Sequence, residues 1–176
     1  MIKKFKYPLL SNAFSKSDIS CGIKVLKSKR ITMSKITKNF EKQFAKKIGC
    51  KYALMTNSGS SANLLAISSI VNPLFKKKLK TRDEVIIPAV CWSTSLWPIV
   101  QNNLKPVFVD VELDTFNMSI ESLKKKITSR TRAIMCVHVL GTSSNMNQIQ
   151  KLIKNKKILL IEDTCESLGA KFNNKY

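Results

Sequence analysis

The sequence predicts an α/β protein built on a mostly parallel sheet that is flanked by helices. Short apolar runs alternate with helical stretches from residue 52 onward, which is typical of parallel strands joined by helical crossovers. The run Ile158–Ile161 is apolar at every position, as expected of a strand covered by helices on both faces. The 176 residues are enough for about one domain with a buried core.

Local patterns assign the individual elements. Ser17-Asp18 is the expected cap of a first helix. A four-residue spacing of apolar side chains between Ser34 and Gly49 predicts an amphipathic helix that ends at the glycine. Further helices are predicted at residues 61–71, 93–102 (a helix or turn), 120–127 and 146–154. Strands are predicted at residues 52–55, 84–88, 106–110, 132–138 and 158–163.

The charge balance is strongly basic, with 31 Lys and Arg against 11 Asp and Glu and a formal net charge of +20. Such a charge attracts polyanions without identifying one. A nucleic-acid-binding surface would cluster its basic and aromatic side chains on one face. Here the basic residues are scattered, and aromatic residues are only 7% of the chain. Lys greatly exceeds Arg, as a coding sequence rich in A and T would give, so nucleic-acid binding is the less favoured hypothesis.

The cysteines and the apolar segments indicate the compartment. Five cysteines are scattered without a CxxC pair, which predicts reduced thiols in a cytoplasmic protein. The single histidine, His138, leaves no Cys/His cluster for a metal. No stretch approaches the roughly 18 apolar residues of a membrane span, and the first residues do not resemble a signal peptide.

Candidate functional residues follow the predicted strands, because parallel sheets bind ligands at the carboxyl ends of their strands. The loop Ser58–Ser61 opens a helix, so its amides can bind a phosphate or simply form a serine-rich cap. Asp163 ends an apolar strand and can pair with a cationic ring nitrogen or cap a turn. Trp92 can stack on a ring and His138 can act as a base, although such isolated residues are more often structural.

These segments together resemble the DegT/DnrJ/StrS-type sugar aminotransferase family, which uses pyridoxal phosphate on the aspartate aminotransferase fold (fold type I). The resemblance runs from Tyr7 to Lys175. The stretches that carry it are residues 40–45, 58–65, 83–88, 107–110, 161–163 and 169–170. Within the family, residues 88–94 and 162–170 are similar to the nucleotide-sugar 3-dehydratase branch, which includes GDP-4-keto-6-deoxymannose 3-dehydratases.

The resemblance implies a binding site for pyridoxal 5′-phosphate or pyridoxamine 5′-phosphate. The implied cofactor-binding residues are Gly59, Ser60, Ser61, Trp92, Asp163 and Glu166. The glycine and the two serines are expected to hold the phosphate, the tryptophan to stack on the pyridine ring and the aspartate to pair with its nitrogen. The glutamate is expected beside the ring, where it would tune the chemistry of this branch.

The function that the resemblance implies is C3 dehydration of a nucleotide-linked 4-keto-6-deoxysugar in deoxysugar biosynthesis, of the kind that serves lipopolysaccharide synthesis. A sugar aminotransferase of the same family is the alternative. The residue that separates the two, histidine or lysine, lies beyond Tyr176 in relatives, so we predict no catalytic residue and no metal ligand within this chain. Family members are homodimers, so self-association is expected.

The same resemblance divides the chain into an N-terminal segment, residues 1–33, and a partial cofactor-binding large domain, residues 34–176. The remainder of that domain and a small C-terminal domain are expected to be absent. The chain alone is therefore expected to be catalytically inert, and an inactive remnant is a third hypothesis.

Overall fold

The computed structural model describes residues 13–176, so the first twelve residues of the N-terminal segment, with Tyr7, lie outside the described residues. The chain forms two compact units that divide between Met55 and Thr56. The expected boundary at residue 33 concerns the family's architecture and stays a prediction. Within residues 13–176, no helix combines the length and apolar character needed to cross a membrane.

The first unit contains two helices, α1 (Lys16–Lys27) and α2 (Lys35–Ile48). The predicted cap of α1 at Ser17-Asp18 is wrong, because Ser15 is the N-cap and Asp18 completes its capping box three residues later. Helix α2 is confirmed, with a cap at Ser34 and a left-handed Gly49, φ 79°, at its end.

The strand predicted at residues 52–55 is absent. These residues have no regular structure, and the side chains of Tyr52, Leu54 and Met55 are exposed. A strand needs a neighbour that satisfies its backbone groups. Here the Met55 amide instead donates to the Glu41 carboxylate, at 2.8 Å.

The second unit contains four helices and four strands, all within two residues of the remaining predicted elements. The helices are α3 (Gly59–Val71), α4 (Ser93–Gln101), α5 (Ile120–Lys126) and α6 (Met146–Ile153). The strands are β1 (Glu84–Pro88), β2 (Lys105–Val109), β3 (Thr131–Val137) and β4 (Leu159–Asp163). The stretch predicted as a helix or turn at residues 93–102 is therefore a helix.

The four strands form one parallel sheet in the order β2-β1-β3-β4. Val85 and Ile87 pack in a core with residues of α3 and α4, whereas Ile86 packs on the opposite face with residues of α5 and α6. Residues of β4 also alternate between the two cores but stay half-buried, because β4 is an edge strand of this sheet. The second unit is thus a three-layer α/β/α arrangement, as predicted.

The chain reverses direction across the sheet after β2, since β2 lies on one side of β1 and β3 on the other. In parallel sheets, a crevice forms at such a reversal outside the carboxyl ends of the strands. The segments that follow β1, β3 and β4 all emerge at this edge, and the N-terminus of α3 contacts it through Asn63.

Candidate active site

A cleft of about 260 Å³ lies at the carboxyl edge of the sheet. Its lining combines the start of α3, the segment after β1 and the end of β4. The lining residues are Gly59, Ser60, Asn63, Trp92, Thr94, Asp163, Cys165 and Glu166. Five of the six predicted cofactor-binding residues therefore meet in one place, although they come from three separate parts of the sequence.

The start of α3 forms one wall of the cleft. Ser58 is the N-cap, and its hydroxyl accepts a hydrogen bond from the Ser61 amide at 3.2 Å. Gly59 and Ser60 follow the cap and line the cleft, so their amides lie at the partially positive end of the helix. Ser61, the sixth predicted residue, does not line the cleft, and its hydroxyl accepts from that of Ser58.

Asp163 ends β4 with a side chain that is buried, at 6% exposure. One carboxylate oxygen accepts hydrogen bonds from Asn63 Nδ2, at 2.7 Å, and from Ser95 Oγ, at 2.8 Å. The other accepts from the Cys165 amide at 3.1 Å. Burial raises the pKa of Asp163, but these donors lower it by more, so the net pKa lies below its ordinary value.

The charge of Asp163 has no cationic partner among the described residues, where the ion pairs involve only Glu84, Glu121 and Glu162. A buried carboxylate that stays ionised without a countercharge is costly. A protonated ring nitrogen placed in the cleft would supply that countercharge. The chemistry of this donor set therefore fits a pyridine cofactor.

Trp92 forms another wall of the cleft. It occupies the N-cap position of α4 without a side-chain capping bond, and 70% of its surface is exposed. An indole that contributes little to the core is available to stack on a planar ligand.

Two cysteine thiols lie close to the Asp163 carboxylate. The pKa of Cys165 is raised to about 11, first by burial and then by the hydrogen bond to Asp163 and the negative charge of that carboxylate. Burial, followed by the same charge, also raises the pKa of Cys91. Both residues are free cysteines, and a protonated thiol is a poor nucleophile.

Glu166 joins the cleft to the loop after β3. Its Oε2 accepts a hydrogen bond from the Leu140 amide at 2.9 Å. Leu140 belongs to a short 3₁₀ turn, Val139–Gly141, and has a left-handed backbone with φ 52°. The carboxylate of Glu166 is thus oriented by a donor, the Leu140 amide, that does not line the cleft.

His138 is hydrogen-bonded within the fold, which agrees with a structural role and not with that of a base. It is 4% exposed, and its Nδ1 accepts a hydrogen bond from the Ser144 amide at 3.0 Å. That bond places the ring proton on Nε2, which lies 3.0 Å from the Glu162 carboxylate. Both ring nitrogens are engaged, and His138 does not line the cleft around Asp163.

Sequence reasoning missed Asn63, Ser95, Thr94 and Cys165. Asn63 lies four residues after Gly59, so one helical turn brings both to the same face. Ser95 and Thr94 fall in the first turn of the helix after β1. The helical spacing could have suggested Asn63, but its bond to Asp163 depends on contacts that no local pattern shows.

The chain belongs to the DegT/DnrJ/EryC1/StrS aminotransferase family, whose sequence profile matches residues 14–176. A GDP-4-keto-6-deoxy-D-mannose 3-dehydratase of Escherichia coli O55:H7 is 47% identical over 171 residues, which are 96% of this chain and 43% of the relative. A GDP-perosamine synthase of Escherichia coli O157:H7 is 35% identical over 137 residues, which are 78% of this chain and 36% of the relative.

The fold is also that of a solved relative. The structure of an E. coli GDP-4-keto-6-deoxy-D-mannose-3-dehydratase with bound hydrated PLP superposes with a TM-score of 0.92 at 46% identity, covering 97% of this chain and 43% of that one. The predicted family and the fold type I class are thereby confirmed. The chain spans about two fifths of the length of these relatives, and the roles of the six predicted cofactor-binding residues stay predictions.

Proposed function

We propose that this chain supplies the cofactor-binding part of an enzyme that removes the C3 hydroxyl from a nucleotide-linked 4-keto-6-deoxysugar, with pyridoxal or pyridoxamine 5′-phosphate in the cleft. The observation that carries the proposal is the buried, ionised Asp163 carboxylate, which faces a cleft lined by a helix N-terminus and an exposed indole. The dehydratase relative, at 47% identity, supports this reaction over that of the 35% identical GDP-perosamine synthase.

Each wall of the cleft contributes one kind of interaction with the cofactor. The amides of Gly59 and Ser60 bind the phosphate, since the start of a helix attracts anions. The hydroxyl of Ser61 keeps its own proton when it accepts from Ser58, but Ser61 does not line the cleft, so its contact with the phosphate rests on the resemblance alone. Trp92 covers one face of the ring and excludes water from it.

Asp163 holds the ring nitrogen in its protonated form. Its carboxylate stays ionised because Asn63, Ser95 and the Cys165 amide donate to it. When bound, the cofactor supplies an electron-accepting ring that stabilises the charge left by a broken C–H bond. Glu166, anchored by the Leu140 amide, lines the same cleft, and we assign it the task of orienting the groups that react there.

The test uses the native protein at the length that its cells produce, incubated with GDP-4-keto-6-deoxymannose, pyridoxal phosphate and glutamate. We expect a sugar product that has lost one oxygen atom, detected by mass spectrometry. A product in which an amino group replaces the ketone oxygen would instead favour the aminotransferase alternative. Absence of both products, together with no cofactor binding, would contradict the proposal and favour the inactive remnant.

Two further properties belong to this proposal. Self-association as a homodimer is supported by apolar side chains that α4 leaves exposed, Trp97 and Val100. A cytoplasmic location is supported by the five free cysteines. Light scattering tests the first property, and fractionation of the source cells tests the second.

A further inference from the structure

We propose that Asn117 is a positioning residue that fixes the Glu166 carboxylate against the cleft, acting through the loop after β3. Asn117 lies outside the cleft. Its effect on cofactor binding rests on the proposed function, whereas the structural step can be measured without any cofactor.

The side chain of Asn117 is bonded to that loop at both ends. It is 4% exposed, its Oδ1 accepts from the Val139 amide at 2.9 Å, and its Nδ2 donates to the Thr142 carbonyl at 3.0 Å. A buried amide that loses such partners leaves polar groups unsatisfied. The two bonds therefore act as a clamp on the two residues between them.

Those two residues have backbone conformations that need support. Leu140 has φ 52° and Gly141 has φ 83°, and a left-handed leucine is uncommon. The Leu140 side chain is 75% exposed, so packing of this side chain does not hold the turn. The turn closes with its own backbone bond, from the Thr142 amide to the Val139 carbonyl at 3.0 Å, and the Asn117 clamp adds a second restraint that brackets the same two residues.

The left-handed turn directs the Leu140 amide to Glu166. The nitrogen lies 2.9 Å from Glu166 Oε2, and Glu166 lines the cleft. Loss of the clamp would release Leu140 and leave the carboxylate without its donor. Asn117 thereby acts on the cleft through Glu166.

Amide hydrogen exchange of the whole chain tests the structural step. We expect Asn117→Ala to speed exchange at the Leu140 amide roughly tenfold, because a buried hydrogen-bond pair is lost. Asn117→Asp keeps an acceptor for the Val139 amide but sets a carboxylate oxygen against the Thr142 carbonyl, so it should speed exchange at Leu140 as well. A cooperative urea-unfolding transition shows that each variant is folded. Asn72→Ala is the matched control, since its side chain accepts from the Leu74 amide in a distant loop.

A double-mutant cycle on pyridoxamine 5′-phosphate affinity tests the functional step. We expect Asn117→Ala to weaken binding about fivefold in the wild-type background and to have no effect in a Glu166→Ala background. An equal penalty in both backgrounds, or unchanged exchange at Leu140, would overturn the positioning role. If the wild type fails to bind, the proposed function fails, and the exchange measurement still decides whether Asn117 holds the turn.

Discussion

The Asn63 side-chain amide donates a 2.7 Å hydrogen bond to the Asp163 carboxylate, 100 positions later in the chain. This bond joins helix α3, whose first residues line the cleft, to strand β4, which ends at Asp163. Ser95, from the helix after β1, donates to the same oxygen at 2.8 Å. The ionised state of Asp163 is therefore a product of the tertiary fold.

Loss of the Asn63 donor should raise the pKa of Asp163. Because the folded pKa is depressed, the stability that Asp163 contributes is present above the pKa of an unfolded aspartate and is lost as pH falls through the folded pKa. In Asn63→Ala the folded pKa lies closer to that of an unfolded aspartate, so this loss should be smaller and complete at a higher pH, with roughly 1–3 kcal/mol less stability at neutral pH. Carboxyl NMR titration and urea unfolding measure the two effects.

Asn102→Ala is the control for that variant, because the Asn102 amide donates to the Pro98 carbonyl and not to Asp163. It should leave the Asp163 titration where it is in the wild type. An unchanged pKa in Asn63→Ala would contradict the account of how the carboxylate is held.

The two tryptophans of the helix after β1 should differ in their effect on cofactor binding. Trp92→Ala should weaken pyridoxamine 5′-phosphate binding about two- to tenfold by loss of stacking. It should change stability by less than about 0.5 kcal/mol, since its side chain is exposed. Trp97→Ala is the control, because Trp97 is also exposed but does not line the cleft. Calorimetric titration measures the affinity of each variant, and equal losses of affinity in both variants would argue against stacking by Trp92.

Cys165 should alkylate slowly near neutral pH. With its pKa at about 11, roughly one thiol in a thousand is ionised at pH 8. The iodoacetamide rate at Cys165, followed by peptide mass mapping, should rise about tenfold per pH unit up to that pKa. Asp163→Asn removes a nearby negative charge and should speed the reaction at pH 8. Equal rates at pH 8 in Asp163→Asn and the wild type would show that the carboxylate does not raise the pKa of this thiol.

Glu84, at the opposite edge of the sheet, should contribute strongly to stability. Its buried carboxylate accepts from Thr128 Oγ1 at 2.6 Å and pairs with Lys105 and Arg130. Glu84→Gln should cost roughly 1–3 kcal/mol in urea unfolding, because charged partners lose their acceptor. The exposed helical pair of Glu121 and Lys125 is the control, and Glu121→Gln should cost less than about 0.5 kcal/mol. Equal costs would refute the difference between a buried and an exposed pair.

Elements with strong local signals could be predicted from the sequence. Strand β1 matches its predicted bounds, and α2 starts and stops at the serine and glycine that predicted it. The strand at residues 52–55 failed because an apolar run does not show whether a partner strand is present. The cap of α1 failed because Ser15, Ser17 and Asp18 all carry capping side chains, and only geometry selects Ser15.

The sequence could predict the site residues that lie at or just after the end of a strand, because the end of the strand determines where such a residue lies. Asp163 is the last residue of β4 and Trp92 follows β1, so the topology of the parallel sheet brings both to one edge. The bonds of Asn63, Ser95 and Asn117 link residues that are far apart in the sequence. Such contacts depend on helix orientation and loop conformation, which no periodicity encodes.

Pyridoxamine 5′-phosphate binding by Asp163→Asn tests the central claim most directly. Asp110→Asn is the matched control, because Asp110 also follows a strand at the same edge, but its carboxylate accepts only from the adjacent Val111 amide among the described residues. The account predicts that the wild type and Asp110→Asn bind alike in calorimetry, and that Asp163→Asn binds at least about tenfold more weakly, since it cannot stabilise a charged ring nitrogen. Equal affinity of Asp163→Asn and the wild type would contradict it.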